Sequence, residues 1–275
     1  MWILLALSLL ALQFNKKISL SLLIITVVIG GINGTLDWRS LTFLGVMVLI
    51  AGAYVRFGSA HRGGQYILEV LLVAGAIGAM VHLIPGFHNL KVLDSVSAGP
   101  ESVPFTMYYN FDKALVPFIL LAGMKTLFVT KPKYQPSKLS WLLLILAIPV
   151  LLFVAVYLGG LKLETHLPAW FVQFVLANIF FVSLAEEALF RGYLQQRLSG
   201  FIHPVAALII SAAIFGGMHY AGGTLLVIFA ALAGVIYGIA WMWSGRLWVA
   251  VAFHVGLNVV HLLFFTYPML RHYGI

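Results

Sequence analysis

Apolar runs of roughly 17–25 residues recur along this chain from one end to the other, and that recurrence fixes the fold class. A helix rises about 1.5 Å per residue, so such a run matches the roughly 30 Å hydrocarbon layer of a bilayer. Inside lipid every backbone N–H and C=O must be satisfied within the protein, which leaves helices or closed barrels. Barrel strands alternate apolar and polar residues, and these runs do not. With 62% hydrophobic and 9% charged residues in 275, the chain has too little polar surface to cover a soluble domain. The expected fold is all-α, a polytopic transmembrane helical bundle of about 8–10 spans. Ten candidates read as about 2–14, 18–33, 41–57, 66–86, 115–130, 139–161, 170–198, 205–220, 224–243 and 248–267; the first is short enough to be interfacial.

The rest of the composition mainly excludes. There is no cysteine, so disulfides, thiolate metal sites and a cysteine nucleophile are out. Met1-Trp2 opens directly into an apolar run, so no cleaved signal peptide is expected. The net charge of +8 is assigned to membrane orientation and not to nucleic acid. Most of the sixteen basic residues, among them Lys16, Lys17, Lys131, Lys133, Arg197 and Arg246, fall on one side of the alternating loops. That side is expected in the cytoplasm, with both termini outside. Gly234 and Gly238 are spaced for close helix packing. No repeat or soluble domain stands out. The expected division is residues 1–165, transmembrane helices without an assigned role, and 166–275, a functional core. The setting is a multi-pass protein of the cell membrane, a bacterial inner membrane being favoured.

Within the seventh span the sequence AEEALFR, Ala185 to Arg191, breaks the apolar pattern. An ionised side chain at mid-bilayer costs about 2.5–3.5 kcal/mol, so Glu186, Glu187 and Arg191 must be paired, protonated or facing water. Glu187 and Arg191 are four apart, the spacing of a helical ion pair and of a structural polar cluster alike. Glu186 is turned about 100° away and needs a partner from another helix. Glu69, near the start of its span, is expected to reach the headgroups.

Two other spans offer partners. His219 follows Phe215 by four residues, and His254, Asn258 and His261 form one polar stripe on the last span. Counted from the span ends on one side of the membrane, Glu186, His219, Asn258 and His254 lie roughly 18, 21, 15 and 9 Å deep. They fit a single layer, in the cytoplasmic half or near the midplane.

In this order, Glu-Glu-x-x-x-Arg at 186–191, Phe-x-x-x-His at 215–219 and His-x-x-x-Asn at 254–258 resemble the motifs of the CAAX-protease and bacteriocin-processing (CPBP, or Abi) intramembrane proteases. Phe190 and Gly192 extend the first motif, and the resemblance covers about residues 170–267. It implies an endopeptidase that hydrolyses a membrane-associated protein or peptide within the bilayer, with no nucleic-acid partner. Glu186 is then the base that activates water. His219 shares or orients that water, and His254 and Asn258 hold it or donate to the oxyanion. Glu187, Arg191 and Phe215 support the site. No metal is favoured, because no His-Glu-x-x-His helix is present; zinc on Glu186, His219 and His254 is the alternative.

Three other classes compete. A non-catalytic scaffold or immunity factor would keep the polar cluster for structure. A proton-coupled transporter would use the buried carboxylates as a relay, though matched broken helices are not evident. A haem or quinone carrier would use His82, His219, His254 and His261, and leaves the glutamate pair without a role.

Overall fold

A computed structural model describes residues 1–57 and 62–271. The elements in chain order are α1 (Trp2–Ala11), α2 (Lys16–Ile32), α3 (Trp38–Phe57), α4 (Arg62–Met80), β1 (Leu90–Val96), β2 (Phe105–Tyr109), α5 (Phe111–Ala114), α6 (Val116–Gly123), α7 (Lys138–Tyr157), α8 (Phe171–Leu198), α9 (Pro204–Gly217), α10 (Thr224–Ser244) and α11 (Leu247–Phe264). The chain is all-α apart from the short β1–β2 pair, which occupies the region expected to be a loop. Among the described residues six helices are long and apolar enough to cross a membrane: α3, α4, α7, α8, α10 and α11. The protein is therefore a multi-pass membrane protein. Two compact units are interleaved along the chain. The first is Met1–Leu90, Tyr108–Phe128 and Phe180–Leu189; the second is Lys91–Met107, Val129–Ile179 and Phe190–Ile275.

In the first unit, α1 and α2 are joined by a reciprocal pair: Ser8 Oγ donates to the Ser19 carbonyl and Ser19 Oγ to the Ser8 carbonyl, both at 2.7 Å. Each hydroxyl thus meets a carbonyl that would otherwise be shared only within its helix. The helices α4 and α6 pack together, and Tyr54 Oη reaches the Gly123 carbonyl at α6's end. Glu69 is buried at 4% exposure, so it does not reach the headgroups as expected.

The expected span at 115–130 is not one helix. The segment holds α6, eight residues or about 12 Å long, and the chain turns extended at Met124 (φ −135°, ψ 94°). Leu115, Val116, Leu120 and Leu127 are buried in protein, so the apolar run reflects a core segment and not a lipid-facing one. Alternation of loops across this segment fails with it, and the charge tally no longer assigns a cytoplasmic side.

In the second unit, α9 is shorter than its predicted span. His203 and Pro204 start it, with Nδ1 of His203 accepting from the Val205 amide. Gly216 lets α10 approach: a Cβ there would stand 2.6 Å from the Val227 carbonyl oxygen. Gly245, in the left-handed conformation at φ +65°, closes α10 as a helix-ending glycine does. Around the α10–α11 turn, Thr130 donates to the Gly245 carbonyl. The segment after α7 is tied down by Glu164, whose carboxylate accepts from the Glu101 amide and from Ser102 Oγ at 2.6 Å.

Candidate active site

The helix α8 carries the Glu-Glu-x-x-x-Arg motif, and it is not a uniform α-helix. Its hydrogen bonds widen to the π register over Ala177–Ser183 and again over Ala188–Gln195, leaving an α-helical turn at Leu184–Glu187 between them. Each π stretch accommodates extra residues per turn and redirects the side chains that follow, a device concentrated at functional sites. The second stretch begins immediately after Glu187, so the register changes between Glu187 and Arg191.

Within the second unit, Phe215 is the centre of a tight polar–aromatic cluster. The Arg191 guanidinium lies over its ring, 4.4 Å from the centroid, a cation–π contact in a site where water cannot screen it. Arg191 Nη2 also donates to the Gly234 carbonyl at 2.9 Å, and Arg191 itself is fully buried. A side chain at Gly234 would meet that Nη2 at 2.9 Å and the Ala212 Cα at 3.2 Å, so the glycine is required by the close approach. Gln195 repeats the arrangement one turn on, donating to the Gly238 carbonyl at 3.2 Å. The two glycines expected to pack helices also expose the carbonyls that satisfy α8's buried polar residues.

Both candidate histidines pack on Phe215. The His219 ring lies 4.9 Å from it and the His254 ring 5.9 Å, edge to face. His219 follows α9, and its Nδ1 is 2.9 Å from the Phe215 carbonyl. A carbonyl only accepts, so in the neutral ring Nδ1 carries the proton and Nε2 presents its lone pair. His254 is 5% exposed and stacks face to face on Tyr237. Asn258, one turn further along α11, donates to Asn178 Oδ1 at 2.8 Å; Asn178 in turn donates to the Phe174 carbonyl. His261, on the same predicted stripe, instead contacts the Thr266 carbonyl and the Tyr267 ring.

Glu186 and Glu187 belong to the first unit. Glu187 is completely buried. Glu186 keeps 13% of its side chain exposed, and Oε1 lies 3.6 Å from Lys113 Nζ. Lys113 sits on α5, one residue after Asp112, whose carboxylate meets His82 Nδ1 at 2.6 Å and Asn89 Nδ2 at 3.0 Å. Tyr109 packs against Trp2 and Phe181 in the same unit, and burial pushes its phenol above the ordinary value. His82 lies beyond the end of α4, 44% exposed and bound to Asp112. Of the four histidines that the haem reading would use, this one is engaged by a carboxylate.

Sequence reasoning missed Asn178, Gln195, Tyr237 and Lys113. Asn178 had a signal, being the lone polar residue in LANIFF, two turns before Glu186. Lys113 had none, since it lies 73 positions from its partner among loop charges. Among the described residues no group of three His, Asp or Glu side chains is arranged to hold a metal ion.

Residues 168–260 match the model of a family described as type II CAAX prenyl endopeptidase, Rce1-like. That range takes in Glu186, Glu187, Arg191, Phe215, His219, His254 and Asn258. No curated protein and no solved structure matches the chain. The matched segment is therefore similar to an intramembrane endopeptidase family, the same Rce1-like group that its three motifs resemble.

Proposed function

We propose that this protein hydrolyses a peptide bond of a membrane-associated protein or peptide, using Glu186 as the general base and no metal. The Glu186 carboxylate takes a proton from water as the water oxygen bonds to the scissile carbonyl carbon. The protonated Glu186 then returns the proton to the amide nitrogen as the C–N bond breaks, so the residue is regenerated. His219 orients the water through its Nε2 lone pair. His254 and Asn258 donate to the oxyanion while the tetrahedral intermediate lasts. Arg191, Glu187 and Phe215 hold these groups in place.

The observation that carries this reading is the packing of His219 and His254 on a single Phe215 ring, above a buried arginine. A membrane helix bundle has no structural need for two imidazoles, an arginine and a paired asparagine at one place, and burying them is expensive. The catalytic core is assigned to 166–275, and the cell membrane to its location. Prenylated, CAAX-ended proteins are the first substrate class to try, on the strength of the family match alone. The test is reconstitution in liposomes with a farnesylated CAAX-ended peptide. Release of the C-terminal fragment, abolished in Glu186→Gln, supports the reading; intact peptide across a panel of prenylated and unprenylated membrane substrates counts against it.

A further inference from the structure

We propose that one end of the second unit is a binding surface for anionic phospholipid headgroups, formed by Lys131, Lys133, Lys138 and Arg246. The surface is independent of the hydrolysis proposed above. Residues 129–137 cross that end as a strap over the α10–α11 turn. Val129 pairs with Arg246 in an antiparallel bridge, and the Thr130 and Lys133 amides donate to the Gly245 and Met242 carbonyls, each at 2.8 Å. Gly245 permits the crossing, since a Cβ there would collide with the Thr130 carbonyl oxygen. Ser137 then caps α7, its Oγ accepting from the Ser140 amide at 3.1 Å.

The strap gathers four cations at one place, and all four residues are exposed. Among the described residues none of them pairs with a carboxylate. The sequence supplies no acid to do so: no Asp or Glu occurs between Asp112 and Glu164 or after Glu187. The acids of the second unit are engaged elsewhere. Lys91 pairs with Asp94 and Lys162 with Glu101, while Glu164 lies beyond the other end of α11, its amide on the Phe264 carbonyl. Two of the four cations also stand where a helix disfavours them. Lys138 opens α7, and Arg246 is the N-cap residue of α11. The amide end of a helix carries partial positive charge, which repels a cation and attracts an anion. An anion held among these side chains relieves both repulsions.

The neighbouring side chains say which anion. Along α7 from Lys138 come Leu139, Leu142, Leu143 and Leu146, all exposed, on a helix long and apolar enough to cross a membrane. Trp141, within the first turn of α7, meets Trp243 of α10 edge to face with the centroids 5.3 Å apart, and Tyr134 on the strap is exposed. Tryptophan and tyrosine concentrate where hydrocarbon gives way to headgroups. The cations therefore sit at the depth of lipid phosphates, and the apolar face that begins beside them fits acyl chains. A soluble polyanion would meet the cations alone, whereas an anionic phospholipid meets both. Each lysine or arginine at an anionic lipid surface contributes roughly fivefold in affinity.

Native mass spectrometry of the full chain in a neutral detergent tests the surface, with titrations of phosphatidylglycerol and of phosphatidylcholine carrying the same acyl chains. The native protein is expected to bind phosphatidylglycerol about a hundredfold more tightly. With Lys131→Gln, Lys133→Gln and Lys138→Gln combined, the ratio should fall to about fivefold or less, and arginine at the same three positions should keep it. The single variants Lys131→Gln and Lys133→Gln should each lower it by about fivefold, so the test does not depend on the triple variant being stable. Lys162→Gln removes one charge at the Glu101 pair and should leave the ratio at its native value. A native ratio below about tenfold, or one that survives the glutamine substitutions, overturns the proposal. Glycerophosphoglycerol, the same headgroup without acyl chains, is expected to bind far more weakly than the lipid. Equal affinity for it would make this a site for free phosphate esters and overturn the lipid assignment.

Discussion

The Tyr237 ring lies parallel to the His254 imidazole, the centroids 4.7 Å apart and the planes 14° from each other. Tyr237 comes from α10 and His254 from α11, so the stack fixes one face of the imidazole while Phe215 meets it edge on. A histidine so clamped has the plane of its ring fixed by two aromatic contacts.

Tyr237→Phe should therefore keep the stack and most of the activity, whereas Tyr237→Leu should lose both. An aromatic pair contributes about 0.5–1.5 kcal/mol beyond its buried area, so the leucine variant is expected to turn over roughly three- to tenfold more slowly. Steady-state cleavage of the farnesylated peptide reads the difference. Equal rates for the two variants would show that the stack does not orient His254.

The Asn178–Asn258 hydrogen bond makes a separate forecast. If Asn258 acts from a position that Asn178 holds, alanine at either site should cost activity, and the double variant should lose little more than the worse single one. Contacting residues commonly couple by about 0.5–3 kcal/mol. Additive losses in the double-mutant cycle would show that the two amides act independently.

Gly234 is required by space and not by flexibility. A methyl group there collides with Arg191 Nη2 and the Ala212 backbone. Gly234→Ala is expected to destabilise the protein by about 1–3 kcal/mol, the usual cost of overpacking, and to lower the melting temperature in detergent. Gly217→Ala, with nothing within 4 Å of the added atom, is the control and should melt near the native temperature.

The metal-free mechanism proposed above predicts that the purified, active protein holds well under one zinc per chain and that strong chelators leave cleavage unchanged. Elemental analysis beside the peptide assay measures both. Stoichiometric zinc whose removal stops the reaction, and whose return restores it, would replace the metal-free mechanism.

Much of the architecture was legible because membrane length leaves a strong periodic mark. The long helices α3, α4, α7, α8, α10 and α11 fall where apolar runs of sufficient length lie. The failure at 115–130 has the same origin: Leu115, Val116 and Leu120 are as apolar as any lipid-facing residue, but they are apolar because protein covers them. Hydropathy does not distinguish the two kinds of burial. Glu69 differs for a related reason: closeness to a span's end suggests reach to the headgroups, whereas the side chain is buried in protein. Motif spacing marks Phe215, His219, His254 and Asn258 as candidates, because each motif is a local feature of a single helix. Lys113, Asn178 and Tyr237 escaped because their partners are distant in sequence. The widened turns of α8 escaped because nothing in ANIFFVS or ALFRGYLQ departs from an ordinary helical composition.

Every mechanistic statement depends on Glu186 being the group that activates water. The most direct measurement is the cleavage rate of a defined membrane substrate by Glu186→Gln in liposomes, made in ¹⁸O-labelled water with mass spectrometry of the new C-terminus. Glutamine preserves shape and removes the base, so the account predicts one ¹⁸O in the native product and a rate lowered by about 10²–10⁴-fold in the variant. Turnover by the variant within about threefold of native would contradict the account and leave the buried polar cluster a structural one.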